Sequence, residues 1–273
     1  MSPAPMTQSQ RNALVDTSLA LLVQEQPEAQ RLVDAVSAGS PDRGRLALRA
    51  LLTMRPAAPL PERLQAALDQ LLSAEAAERE TVEALSLPGT DVDPRLSLWR
   101  GDITTIRADA IVNAANSAML GCFQPLHTCI DNAIHSVAGP GLRQECADIM
   151  AARGRPEPTG TATVTGSYHL PAAHVIHTVG PIVQGEPTSA HEALLASSYQ
   201  SCLLAAEDLQ ATSIALCCIS TGVFGYPKAE AAAIAVRTVR EALPHCQSLT
   251  KVVFNVFDPI DESIYRGLLG PDR

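Results

Sequence analysis

Three apolar stripes occupy the first third of the chain. Leu14, Leu19, Leu21 and Leu22 form the first, Leu46, Leu48, Leu51 and Leu52 the second, and Leu64, Ala67, Leu68, Leu71 and Leu72 the third. Recurrence at three to four residues places apolar side chains on one face of an α-helix. Pro56, Pro59 and Pro61 part the last two stripes, because proline lacks the N–H a helix needs and clashes with the preceding turn. β-Branched residues are few, and Gly39 and Gly44 are the only glycines before Leu87. The pattern predicts a small helical extension over residues 1–87, with no catalytic constellation in it.

Pro88, Gly89, Asp91, Asp93 and Pro94 read as a linker between Ser86 and Pro94, and the pattern then changes. Short β-branched runs at Leu96–Trp99, Ala110–Ala114, Thr161–Gly166, His174–Val179, Ser213–Ser220 and Lys251–Phe257 predict strands. Asp131–Ala138, Gly141–Ala152, Ala190–Leu209 and Lys228–Leu243 predict helices between them. Strands separated by helices of this length imply an α/β unit over residues 88–273. Its central sheet is mixed but mainly parallel and is covered by helices on both faces. Ligands of such sheets bind beyond the carboxyl ends of the strands.

Composition narrows the function. Aromatic residues make up 3% of the 273, so the core must rest on Leu, Val, Ile and Ala. The formal charge is -9 and no lysine- or arginine-rich run exists, which argues against nucleic acid as a partner. An anionic ligand would have to be small and held by backbone amides or a metal. No apolar run approaches the roughly 20 residues that span a bilayer, so no membrane partner is expected. Met1–Arg11 lacks the apolar core of a signal peptide. Seven cysteines, an odd number, make a disulfide framework improbable and favour a reduced, cytoplasmic compartment. Cys146, Cys202, Cys217 and Cys218 fall in apolar segments and read as core.

Cys122 and Cys129 fall in G-C-F-Q-P-L-H-T-C-I-D-N, from Gly121 to Asn132. Cys122, His127 and Cys129 offer two sulfurs and an imidazole within eight residues, a donor set suited to zinc. Three protein ligands leave one tetrahedral position for water or substrate, with Asp131 and His135 near enough to support the shell. Positions i and i+2 of a helix point to different sides, so His127 and Cys129 converge on one ion only from a loop. Pro125 agrees, and the helix should begin near Cys129 or Ile130. By spacing alone, two buried cysteines beside a helix-starting histidine would explain the pattern equally well.

Two further motifs flank this loop. Ala110–Ser117 reads A-I-V-N-A-A-N-S, a strand delivering Asn113 and Asn116 into a turn, where amide side chains suit a sugar hydroxyl or a water and also serve ordinary turns. Ile219–Tyr226 reads I-S-T-G-V-F-G-Y, a glycine-punctuated turn from a strand into the helix at Lys228, with exposed amides suited to phosphate oxygens. Lys228 itself reads as a solvated lysine. The histidines His169, His174 and His177 read as structural, since strand alternation sends His174 and His177 to opposite faces. His135 reads as a packed helix residue.

Together G-D-I-T (Gly101–Thr104), D-A-I-V-N-A-A-N-S (Asp109–Ser117), I-D-N-A-I-H-x-x-A-G (Ile130–Gly139) and I-S-T-G-V-F-G-Y-P (Ile219–Pro227) resemble the macrodomain family, which binds ADP-ribose. The resemblance runs from about Leu96 to Leu269 and is nearest the MacroD-type hydrolases. Their glycine run between N-A-A-N and the following helix is replaced here by the loop bearing Cys122, His127 and Cys129. That replacement resembles the zinc-containing macrodomains of bacteria and fungi, which also tend to carry a helical amino-terminal extension.

The resemblance implies a zinc-dependent hydrolase that removes mono-ADP-ribose from modified protein side chains by cleaving the ribose glycosidic bond. Its partners would be a mono-ADP-ribosylated protein and the product ADP-ribose, and the chain is expected to be a monomer. Zinc would be held by Cys122, His127 and Cys129. Asp102 would accept from the adenine amino group, beside the Ile103 amide, with Asn255 bordering that pocket. Ser220, Thr221, Gly222, Val223, Phe224, Gly225 and Tyr226 would wrap the diphosphate. Phe224 would cover the riboses or pack beneath the loop. Asn116 would face the proximal ribose. Asp131 would serve as general base, or cap the helix, or support a zinc ligand. The rival readings are an ADP-ribose reader without catalysis and a hydrolase of a free ADP-ribose metabolite.

Overall fold

The computed structural model describes residues 5–37 and 43–270; Gly39 and the first four residues of the polar amino terminus lie outside the described residues. Helix α1 (Gln8–Glu25) begins at a capping box between Thr7 and Gln10, which satisfies orphan amides of its first turn. It is followed by α2 (Gln30–Ser37), α3 (Arg43–Met54) and α4 (Glu62–Glu78). Val15, Leu19, Leu22, Leu48, Leu51, Leu64, Leu68 and Leu71 form an apolar cluster of their own between these helices. The stripes are displaced slightly from the expected ones. Val15, Leu19 and Leu22 define the buried face of α1, Leu14 and Leu21 flank it, and Leu46 is exposed. Spacing of four and then three follows the true helical period, which an inventory of leucines misses.

Within Ser86–Pro94, residues Ser86, Pro88, Asp91, Val92 and Pro94 are exposed, while hydrogen bonds anchor the stretch to the sheet domain. Thr90 is fully buried and its amide donates to Leu96 O, while Ser97 Oγ donates to Pro88 O at 2.7 Å. Just before it, β1 (Val82–Glu83) pairs in parallel with β3 (Ile106–Arg107).

The main sheet contains β2 (Leu96–Arg100), β4 (Ala110–Ala114), β5 (Ala162–Gly166), β6 (His174–Thr178), β7 (Ser213–Leu216) and β8 (Lys251–Val256), in the order β2-β8-β7-β4-β6-β5. All neighbours are parallel except β5 and β6. The strands are buried nearly throughout, as a sheet covered on both faces requires. Helices α5 (Ile130–Ala138) and α6 (Pro140–Arg153) form one layer. Helices α7 (Ser189–Asp208), α8 (Lys228–Ala242) and α9 (Pro259–Leu269) form the other. This is the expected three-layer fold. The extension meets it through α3, which packs on α5.

Two departures concern the carboxyl end. Strand β7 stops at Leu216, short of the expected Ser220, because the buried Tyr199 hydroxyl takes over the next backbone groups, donating to Cys217 O and accepting from Ile219 N. Helix α9 was not anticipated. Asp258 caps it by accepting from the Ile260 and Asp261 amides, with Pro259 at its first position, a signature the sequence does carry.

Candidate functional site

Parallel strands β4 and β7 are neighbours, so the loops at their carboxyl ends lie side by side at one edge of the sheet. The first loop runs from Ala115 to Cys129. Asn113, at the end of β4, is fully buried and donates to Asp131 Oδ1 at 2.8 Å. Asn116 Nδ2 reaches Gly121 O at 3.1 Å and Asp131 Oδ2 at 3.4 Å, and its Oδ1 accepts from the Ala118 amide. Asn116 and Asp131 are thus brought together. Burial raises the Asp131 carboxyl to about 6, against the Asn113 hydrogen bond and the Arg143 charge.

Helix α5 begins at Ile130, as expected, and its cap is Cys129, whose sulfur accepts from the Asn132 amide at 3.4 Å. Asp131 therefore does not cap this helix: it lies one turn position further on, turned inward to the two asparagines. Cys122 Sγ lies 3.5 Å from His127 Nδ1, and the donor atoms of Cys122, His127 and Cys129 all fall within 4.8 Å of one another. The residues are half-buried and lie in a loop, as convergence requires. Burial pushes the Cys129 thiol up to about 11, with Cys122 and Asp131 adding to the rise. A divalent cation would reverse that preference by stabilising thiolates. Donor chemistry and proximity fit a zinc ion.

A second convergence, His135, Cys146 and His177, is buried beneath the first. Asn113 Nδ2 donates to His177 Nδ1 at 3.1 Å, and Thr165 Oγ1 lies 2.9 Å from Nε2. Thr165 gives its own hydrogen to Gly166 O, so it accepts from Nε2–H. Both nitrogens of His177 are spoken for, and no lone pair is left for an ion. Burial lowers His177 to about 3, so it stays neutral. Its role is to orient Asn113, which in turn orients Asp131.

The second loop follows β7. Ser220 adopts φ 67° and Gly225 φ 72°, a left-handed backbone at each end of the turn. The amides of Gly225 and Tyr226 close turns on Gly222 O and Ser220 O, and Phe224 O accepts from Val183 N. The amides of Ser220, Thr221, Gly222, Val223 and Phe224 donate to no acceptor among the described residues. A side chain added at Gly222 would meet nothing within 4 Å, and Val223 is 80% exposed. Five amides without an acceptor in a glycine turn are donors suited to an anion. Tyr226 is buried beneath, and Phe224 is half-buried, between its two expected placements. Lys228 is paired with Asp258 and Asp261, the latter at 2.9 Å, and so is neither solvated nor a phosphate contact.

At the far edge of the sheet Asp102 is exposed. Its Oδ1 accepts from the amide and hydroxyl of Thr104, while Ile103 is buried next to it. Asn255 is buried and donates to Gly101 O at 3.0 Å, fixing the turn that carries Asp102.

A profile of the Macro domain family matches residues 112–235, the span containing both loops. A protein-ADP-ribose hydrolase of Staphylococcus aureus (strain MRSA252) is 46% identical over 229 residues, which cover 82% of this chain and 84% of that protein. The chain belongs to the Macro domain family. A protein-ADP-ribose hydrolase of Treponema medium is 55% identical over 172 residues, 63% of this chain and 66% of its own length, slightly under two thirds. The Trypanosoma brucei macrodomain solved in complex with ADP-ribose superposes with a TM-score of 0.63 at 32% identity, covering 85% of this chain and 96% of that one.

Sequence reasoning undervalued two residues of this macrodomain. Asn113 and His177 lie directly opposite each other on the paired strands β4 and β6. Asn113 in the otherwise apolar β4 was the available signal, since burying it is costly unless a partner such as His177 satisfies it.

Proposed function

We propose that this macrodomain is a zinc-dependent hydrolase that releases mono-ADP-ribose from modified protein side chains. The observation carrying this reading is that the loop from Ala115 to Cys129 brings together the donors of Cys122, His127 and Cys129 and sets Asn116 against Asp131 at the start of α5. On the neighbouring strand's loop, the amides of residues 220–224 have no acceptor among the described residues. The relatives named as protein-ADP-ribose hydrolases support the reaction class.

In this reading the diphosphate accepts from the amides of residues 220–224, Asp102 takes the adenine amino group through Oδ2, and Phe224 borders the riboses. Asn116 orients the proximal ribose. Hydrolysis breaks the bond from the anomeric carbon to the modified side chain and joins a water oxygen to that carbon, through an oxocarbenium-like transition state. Asp131, held by Asn113 and Asn116, accepts the water proton at Oδ2. Cys122 Sγ, His127 and Cys129 Sγ would hold a zinc ion, which when bound would supply Lewis-acid charge. The seven free thiols support a reducing, cytoplasmic setting. Residues 1–87 and the domain from 88 onward act as one enzyme.

The test incubates the full chain with proteins mono-ADP-ribosylated on acidic, serine or arginine side chains, with and without a chelator. Release of ADP-ribose from at least one substrate, lost on chelation and restored by zinc, is expected. Tight ADP-ribose binding with no release from any would establish a reader instead. Release indifferent to the chelator would remove the metal from the reaction.

A further inference from the structure

We propose that the carboxyl end of α3 is a positioning element of the zinc site: acting through Arg143 and Asn132, it holds both ends of the metal loop. The proposal rests on the zinc reading above.

The loop does not hold its shape by local preference. Met119 and Leu126 both have left-handed φ, 61° and 58°, a conformation that ordinary side chains avoid. Such strain persists only where the surroundings fix the chain. Those surroundings are unusual here, because they come from the helical extension.

The first tether starts from a defect in α3. Leu52 O lies in the last turn and would accept from the amide of residue 56, but that residue is Pro56 and has none. Arg143 of α6 supplies the missing donor: Nη1 bonds Leu52 O at 2.8 Å and Arg55 O at 2.6 Å. The same guanidinium donates from Nε to Leu120 O at 2.8 Å, two residues before Cys122, and lies 4.6 Å from the centre of the Phe123 ring. Arg143 is 6% exposed, and its charge faces carbonyls at the negative end of a helix dipole. One planar side chain thus clamps the entrance of the metal loop to the end of α3.

The second tether reaches the ligands more closely. Thr53 Oγ1, on α3, gives its hydrogen to Arg49 O at 2.8 Å and only abuts Asn132 Oδ1 at 3.3 Å. Arg49 Nε of the same helix, however, donates to Ser136 Oγ at 3.3 Å, and Ser136 Oγ donates to Asn132 Oδ1 at 3.5 Å. Asn132 Nδ2 then donates to His127 O at 2.6 Å, and the Asn132 amide donates to Cys129 Sγ at 3.4 Å. A single asparagine therefore touches one proposed ligand by its backbone and another by its sulfur, and α3 fixes that asparagine. Partners outside a metal's own ligands commonly set affinity by 10–100-fold, because they decide whether the donors are preassembled. On this geometry the helical extension tunes the metal site.

The experiment measures zinc affinity of the full chain by competition with a chromophoric chelator, the visible absorption of the cobalt-substituted protein, and melting of the metal-free protein. Arg143→Met should weaken zinc by about 10–100-fold and alter the cobalt spectrum. Arg143→Lys, which keeps the charge but not the fork, should fall between, and Ser136→Ala, which cuts the relay from Arg49 of α3 to Asn132, should lose roughly two- to tenfold. A merely structural role would lower the melting temperature of the metal-free protein while leaving zinc affinity and the cobalt spectrum at wild-type values; that outcome in the two milder variants overturns the proposal. If the wild-type chain itself retains no zinc, the zinc reading fails instead, and the two failures are told apart by that measurement.

Discussion

The two loops at the carboxyl edge of β4 and β7 differ in how their working groups are held. In residues 219–226 the amides of residues 220–224 have no acceptor among the described residues, the Gly225 and Tyr226 amides close turns within the loop, and the Val183 amide and the Tyr199 hydroxyl hold it from outside. Residues 115–129 also close local turns, Met119 N on Asn116 O and His127 N on Gln124 O, but side chains and carbonyls among them are tied outward. Asn116, Cys129, His127 and Leu120 are each held by a partner from outside the loop, on α5, α6 or, at one remove, α3. A loop that binds by backbone amides has to leave those amides unpaired. A loop that assembles side chains for chemistry has to be held in place by the surrounding fold.

The contrast is broken most severely at a metal donor. Cys129→Ala should abolish retained zinc and cut turnover of mono-ADP-ribosylated protein by more than the roughly 10–100-fold that outer partners cost, with the fold kept. Metal analysis beside a turnover assay checks it, and unchanged turnover would exclude a working metal. Asp131→Asn should retain zinc yet lose about 10²–10⁴ in turnover if Asp131 takes the proton. Near-normal single-turnover rates would reduce Asp131 to a support for Asn116.

In the amide loop, Gly222→Glu should weaken ADP-ribose binding at least about tenfold, roughly 1.4 kcal/mol, while zinc content stays normal. The new carboxylate would stand in the open space where the phosphates are placed, and calorimetry showing wild-type affinity would refute that placement. The smallest effect concerns the support beneath the metal loop. The fold holds His177 neutral down to about pH 3, whereas the unfolded chain binds that proton below about 6.5. Acid therefore favours unfolding at this site, by up to about 1.4 kcal/mol per pH unit. The stability gap between wild type and His177→Gln should narrow as pH falls from 6.5 toward 5; contributions common to both chains, Asp131 among them, cancel in that difference. A constant gap would mean that His177 is not held neutral.

Much of the fold was legible because burial on both faces of a parallel sheet leaves nearly continuous apolar runs, as at Ala110–Ala114 and Lys251–Val256. Element ends were legible where a cap or proline marks them, as at Ile130 and Lys228. The expected end of β7 failed where a distant side chain overrides local preference, because Tyr199 takes the backbone groups that follow Leu216. At the site, spacing and residue type pointed to Cys122, His127 and Cys129 as possible donors and to a glycine turn at residues 219–226, and the resemblance to macrodomains suggested their roles. The partnership of Asn113 with His177, the displacement of Asp131 from the cap by Cys129, and the pairing of Lys228 with Asp258 and Asp261 could not be read that way.

Sequence alone determined the class of fold, the donor types available to a metal, and the glycine turn that frees its amides. Those follow from periodicity and from the chemistry of residues close in the chain. Only the tertiary structure decided which polar groups are already satisfied and which remain open, because that depends on partners far away in sequence. Arg143 shows the difference most plainly. In the sequence it is one more arginine on a helix; in the fold it answers the hydrogen bond that Pro56 denies to α3, and with the same guanidinium holds the entrance of the metal loop.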